Sequence, residues 1–269
     1  MIQNKMLFAI SKKYYVLATT IVYTVSFLIS TSTSILSSSF INIMLTPISQ
    51  KQQVKAYKEK IFTKTHLKPS LENGIAVLGD VKIIQKRIPI TETRIKLTEE
   101  YAAVHYGFKT AYMENPKVIV VHWTGGGTVQ SVYNYFYPET VKNGSWHEKY
   151  GKLNVGAHFL VDRDGTIYQL FNETFITRHC IGMNYHAIGI ENIGGKDGMD
   201  DLTDQQLNSN IALIKHLKEK YPTIKLVIGH YEYRKYEGTE YFLELLPDYR
   251  NVKMDPGKRF MDKIRAGIG

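Results

Sequence analysis

A single cysteine, Cys180, excludes an internal disulfide and every zinc motif built on two or four thiolates, so any metal would have to be held by His, Asp or Glu. No internal repeat is visible, which removes solenoid and propeller architectures. Acidic residues are in deficit, with 25 Asp and Glu against 34 Lys and Arg, giving a net charge of +9. An anionic partner is implied: nucleic acid, a membrane surface or an acidic polymer. Most of the excess lies between Lys51 and Lys96, where eleven basic side chains face four acidic ones. Only Tyr57 and Phe62 are aromatic among these charges, so nucleic acid is not expected as a partner. A solvated basic spacer is the default, able to meet an anionic envelope surface.

The N-terminus has the layout of an export signal. Lys5, Lys12 and Lys13 precede the charge-free run "YYVLATTIVYTVSFLI", and a Ser/Thr-rich tract follows. The run lies between a signal-peptide core and a membrane span, which needs roughly 17–25 residues. No A-x-A cleavage site is obvious, and no cysteine follows to accept lipid. The expected division is an export signal or membrane anchor over 1–45, a basic linker over 46–96 and one domain over 97–269, placed at or beyond the cell envelope. A hydrophobic content of 43% suits a domain with a proper core.

Three aliphatic runs then end in side chains able to bind metal or move protons. "KVIVVHWTGGGT" delivers His122, "KLVIGHYEY" delivers His230, and "AIGIENIGG" delivers Glu191. Branched aliphatic runs of this length suit strands covered on both faces. Ligands bind open α/β sheets at the carboxyl ends of the strands, so three such endings mark one site. One core histidine in a flexible turn would be unremarkable; the repetition is what counts. The triple glycine Gly125–Gly127 is not followed by Gly-Lys-Ser/Thr, so backbone clearance fits it better than a phosphate loop.

Were His122 and His230 to share a metal, Asp255 in "NVKMDPGKRF" is the best third ligand, held in a turn by Pro256 and Gly257. Two imidazoles and one carboxylate with an open position form a catalytic zinc set. Zinc there would polarise a carbonyl and lower the pKa of water, favouring hydrolysis. Strand alternation puts Gly189 and Glu191 on one face, with the glycine leaving room for a ligand and the acid placed as general base. Lys253 could support an oxyanion, although a surface lysine is the commoner reading. His158 reads as a packed histidine, and His147, His186 and His216 have no assigned role.

Helices are expected from Leu97 to Gly107, capped by Thr98; from Thr128 to Tyr137; and after Thr203, with Leu207, Ile211, Ile214 and Leu217 as the apolar stripe. "GAHFLVDRDGTIYQLF" reads as a hairpin turning at Asp164-Gly165. The fold class is therefore α/β, a single domain with a central mixed β-sheet flanked by helices.

With "VIVVHWT", "VGAHFLVDRDGTIYQL", "RHCIGMNYHAIGIENIGG" and "GHYEY…KMDPG" in this order, the chain from about Leu97 onward resembles the zinc-dependent N-acetylmuramoyl-L-alanine amidases of the amidase-2 type, relatives of phage amidase lysozymes and peptidoglycan recognition proteins. The resemblance implies zinc on His122, His230 and Asp255, Glu191 and Lys253 as catalytic groups, and His179 in the substrate groove. Trp123 and Asn192, next to His122 and Glu191, are counted as substrate-contacting candidates with it. Ala157 stands where some relatives have a catalytic tyrosine. The stretch between His230 and Asp255 is longer than in compact relatives and is expected to cover part of the groove. The implied reaction is cleavage of the amide between N-acetylmuramic acid and L-alanine, on peptidoglycan or muropeptides, by a monomer. A binding module without hydrolysis, or a zinc hydrolase of another amide, are the alternatives.

Overall fold

Branched aliphatic runs supply the strands at the centre of the fold. The computed structural model describes residues 71–72, 75–78 and 81–269. The expected export segment and the basic stretch up to residue 70 lie outside the described residues. In chain order the elements are β1 (Leu71–Glu72), β2 (Ile75–Leu78), β3 (Val81–Gln85), α1 (Glu92–Tyr106), β4 (Val118–Val121), α2 (Val129–Phe136), β5 (Phe159–Val161), β6 (Ile167–Gln169), β7 (Ala187–Asn192), α3 (Asp204–Lys220), β8 (Leu226–Gly229) and α4 (Lys258–Ile268). Among the described residues no helix is long and apolar enough to cross a membrane.

The strands form one mixed sheet in the order β1-β2-β3-β6-β5-β7-β4-β8. β4 lies between β7 and β8 and runs parallel to both, with Val121 level with Ile190 and Gly229. β5 and β6 form the expected hairpin. Its turn is closed by the Gly165 amide donating to the Asp162 carbonyl at 2.9 Å, with Gly165 at φ +87°.

All four residues of β4 are buried, as the uninterrupted aliphatic run predicts. Period-2 alternation sends Ile119 and Val121 to one face and Val118 and Val120 to the other. Ile119 and Val121 pack with Ile188 and Ile190 of β7 under Leu213, Ile214 and Leu217 of α3 and Phe260, Met261 and Ile264 of α4. Val118 and Val120 pack with Tyr101, Ala102 and Tyr106 of α1, together with Met183 and Tyr233. Full burial of each such aliphatic side chain contributes about 1.5–3 kcal/mol, which anchors β4 and β7, whereas β8 closes the sheet as an edge strand with Leu226 and Val227 only partly buried.

Two boundaries differ from the sequence expectation. α1 begins at Glu92, capped by Thr91, whose side chain accepts the Arg94 amide at 3.1 Å; Gly107 ends it in the left-handed region, as expected. Thr98, expected as the cap, lies inside the helix with its hydroxyl donating to the Arg94 carbonyl at 2.8 Å. β3 pairs with β6, and Arg94 is only 2% exposed, donating to the Pro89 and Tyr137 carbonyls. The basic linker expected to reach residue 96 therefore overlaps the folded domain, because its last residues alternate as a strand and then cap a helix.

In α3 the inward face is Gln206, Asn210, Leu213, Ile214 and Leu217; Leu207 and Ile211 of the expected stripe are only partly buried. Gln206 completes the expected capping box with Thr203 and also donates to the Val161 and Ile193 carbonyls. Its inward turn puts a side-chain donor on carbonyls at the last residue of β5 and just past the end of β7.

Candidate metal centre

The site stands at the carboxyl edge of the three parallel strands. His122 follows β4 directly and continues its ladder: its amide donates to the Ile190 carbonyl at 2.8 Å, and its own carbonyl accepts the Asn192 amide at 3.1 Å. His230 follows β8. Asp255 lies in the turn before α4, and its carbonyl accepts the Tyr231 amide at 2.9 Å, tying that turn to the end of β8. After His122 the chain leaves the sheet through Gly125, Gly126 and Gly127, all at positive φ. Few other residues tolerate three such conformations in succession, which accounts for the triple glycine.

Three donor atoms converge here. His122 Nδ1 lies 2.9 Å from His230 Nδ1 and 3.2 Å from Asp255 Oδ2, and His230 Nδ1 lies 3.1 Å from the same oxygen. Among the described residues His122, His230 and Asp255 form a group that can hold a metal ion. Tetrahedral ligands about 2.0–2.1 Å from zinc would stand roughly 3.3 Å apart, close to the observed edges. The two imidazoles are almost wholly buried, and Asp255 keeps 14% of its side chain exposed, so the cluster has one face toward solvent.

The electrostatics favour the protonation states a cation needs. Burial brings the His230 imidazole down to about 4 despite the Asp255 carboxylate beside it. Burial alone would raise the Asp255 carboxyl, but the field of His230 and close contact with both imidazoles hold it well below the usual carboxylate range. A neutral imidazole and an ionised carboxylate are metal-ligating forms.

Glu191, one register step beyond Ile190 on β7, is partly buried, and its Oε2 has no hydrogen-bond partner among the described residues. Burial and then the Asp255 charge raise its carboxyl well above the ordinary value, with Lys253 opposing. Lys253 is thus close enough to act on Glu191; it also lowers His147, which burial and Arg178 already depress to about 4. His179 sits beside His122, with its Nδ1 3.1 Å from His122 Nε2. Trp123 is partly buried and lies against Gly195, which has no room for a side chain.

Two expectations require correction. Asn192 is fully buried: its amide donates to the His122 carbonyl at 3.0 Å and its oxygen accepts Asn210 Nδ2 at 2.7 Å. Its side chain is thus used inside the fold to hold the backbone of His122. The space over Gly189 is taken by the His179 ring, since a Cβ there would lie 2.9 Å from that ring's Cγ and Nδ1. His158 donates from Nε2 to the Phe175 carbonyl at 2.8 Å and accepts the Gly189 amide at 2.9 Å, a packed histidine as expected. Ala157 is fully buried and brings no hydroxyl to the site.

The stretch between His230 and Asp255 packs on the α1 face of the sheet. Leu243 donates its amide to the Gly182 carbonyl, Leu245 to that of His105, and Phe242 and Leu246 join the cluster around Tyr101. Sequence reasoning missed Arg178, whose guanidinium donates to the carbonyls of His147, Tyr150, Gly151 and Leu153 and stacks near Tyr249. It holds the Trp146–Tyr150 turn in place. Its position next to His179 was the available signal.

Two histidines and an aspartate at the sheet edge, with Glu191 at the end of the neighbouring strand, make a possible metal site. The family model for Amidase_2, N-acetylmuramoyl-L-alanine amidase, matches residues 112–258, more than half of the chain, and the chain belongs to that family. It is similar to the endolysin of Escherichia phage T7, 35% identical over 89 residues, which are 32% of this chain and 59% of that protein. The endolysin of Enterobacteria phage T3 is 35% identical over 80 residues, 28% of this chain and 53% of that one. The chain thus spans little more than half the length of these relatives. Among solved structures, N-acetylmuramoyl-L-alanine amidase LysC from Clostridium intestinale URNW is 27% identical, covering 56% of this chain and 84% of its own, with a TM-score of 0.40.

Proposed function

We propose that this protein is a zinc-dependent peptidoglycan hydrolase that cleaves the amide between the lactyl group of N-acetylmuramic acid and the L-alanine of the stem peptide. The observation that carries the reading is the convergence of His122, His230 and Asp255 within 3.2 Å of one another beside the unpaired Glu191, in a chain of this family. Bound by those three residues, zinc would supply Lewis-acid polarisation of the amide carbonyl and make water a better nucleophile.

The chain's own groups do the rest. Glu191 takes a proton from the attacking water as its oxygen bonds to the amide carbon, and returns one to the nitrogen as the C–N bond breaks, leaving a lactyl carboxylate and the free amine of alanine. Burial, and then the Asp255 charge, raise this carboxyl well above the ordinary value, which makes it the stronger base for the first transfer. Lys253 supports the negative charge on the carbonyl oxygen in the transition state. Trp123 and His179 flank the ligands and contact the substrate.

The test is mass spectrometry of products from purified peptidoglycan. The reading requires stem peptides with a free N-terminal alanine and glycan with its lactyl group intact. Binding to the polymer without those products would make the domain a recognition module, and products cut within the peptide would assign another amide.

A further inference from the structure

We infer that His179 is a positioning residue that holds His122 in the tautomer whose Nδ1 is bare toward His230 and Asp255; the inference rests on the reading of His122 as a metal ligand. His179 Nε2 lies 3.2 Å from the Ala187 carbonyl oxygen. A carbonyl can only accept, so Nε2 carries the hydrogen, and in a neutral ring Nδ1 then has the lone pair. That Nδ1 is 3.1 Å from His122 Nε2, which must therefore be the donor. His122 Nδ1, left without hydrogen, is the atom that faces His230 Nδ1 at 2.9 Å and Asp255 Oδ2 at 3.2 Å.

The relay is anchored in the sheet at both ends. Ala187 opens β7 and is level with Val118 on β4, the strand that leads to His122. The segment carrying His179 is held by the Asn184 side chain, which accepts the amides of His179 at 2.9 Å and Cys180 at 2.7 Å. The ring itself lies over Gly189, where a Cβ would approach its Cγ and Nδ1 to 2.9 Å. Histidine ligands usually pass their second N–H to a carboxylate, a carbonyl or water. Here an imidazole is interposed before the carbonyl. His230 has no such support, since its Nε2 is buried without a partner among the described residues. Of the two imidazoles, His122 alone has its far nitrogen held by a side chain among the described residues.

Two readouts test this. In metal-free full-length protein, long-range ¹H–¹⁵N NMR of labelled histidines, with His122 assigned through His122→Gln, should find Nε2 protonated and Nδ1 bare; the reverse tautomer overturns the inference. The second readout is zinc affinity by competition with a chelator. His179→Leu and Gly189→Ala, which remove or displace the ring, should weaken it about 10–100-fold, the range for outer partners of a ligand. His179→Asn, whose Oδ1 can accept in place of Nδ1, should recover most of the loss. Unchanged affinity in His179→Leu, or equal losses in the Leu and Asn variants, overturns the positioning role. Wild-type protein that takes up no zinc overturns the ligand reading itself, and the positioning role falls with it.

Discussion

Glu191 is partly buried at the end of β7, with one oxygen unpaired and its carboxyl raised by burial and by Asp255. A carboxyl whose folded pKa exceeds its unfolded value of about 4.3 favours folding fully below that value, and the advantage is lost as pH rises through the folded value. Glu191→Gln should therefore raise the Tm of metal-free protein at neutral and higher pH, by about 2–4 °C for each kcal/mol relieved, and the gain should vanish near pH 4. The same substitution should lower turnover about 10²–10⁴-fold with zinc still bound. Thermal melts across pH, metal content and rates of stem-peptide release check the three parts together. Near-normal turnover would give the proton transfer to another group.

Among elements, the segment between His230 and Asp255 is tied to α1 by one buried pair as well as by its backbone and core contacts. His105 of α1 faces both oxygens of Glu244 at 2.9 and 3.0 Å and reaches the Tyr150 carbonyl through Nε2 at 2.8 Å, with neither side chain exposed. Removing one partner of such a pair costs about 3–5 kcal/mol. Glu244→Ala should lower stability by that order in urea unfolding, whereas Lys149→Ala, which breaks an exposed pair with Asp248, should cost no more than about 1 kcal/mol. Equal effects would place the anchor elsewhere. This pair was not legible in the sequence, because its members are 139 positions apart and neither sits in a pattern. The strands leading to His122 and Glu191 were legible, since burial on both faces demands unbroken aliphatic runs; the run before His230 forms the edge strand β8, where Leu226 and Val227 are only partly buried. The start of α1 was misplaced because Thr98 resembles a cap as well as Thr91 does. The inward faces of Gln206 and Asn210 were missed because periodicity counts apolar residues, while these satisfy backbone carbonyls and Asn192 inside the sheet edge.

At the scale of the whole molecule, the lysines at positions 51, 55, 58, 60, 64 and 68 precede the first described strand. Attraction to an anionic membrane is worth roughly 1 kcal/mol per basic residue near the surface, and salt screens exposed charges beyond about 8 Å. Protein lacking residues 1–50, and with them the expected apolar anchor, should sediment with cell envelopes at low salt and be released at high salt. Replacing these six lysines by glutamine should abolish most of the low-salt sedimentation; equal partitioning would leave them as solubilising charges only. The central claim, a metal-dependent amidase built on His122, His230 and Asp255, is tested most directly by zinc titration of metal-free protein while stem-peptide release from peptidoglycan is followed. The account predicts that activity returns with the first equivalent of zinc in the wild type and stays absent in Asp255→Ala. Full activity in rigorously metal-free protein, or equal recovery in Asp255→Ala, would contradict it.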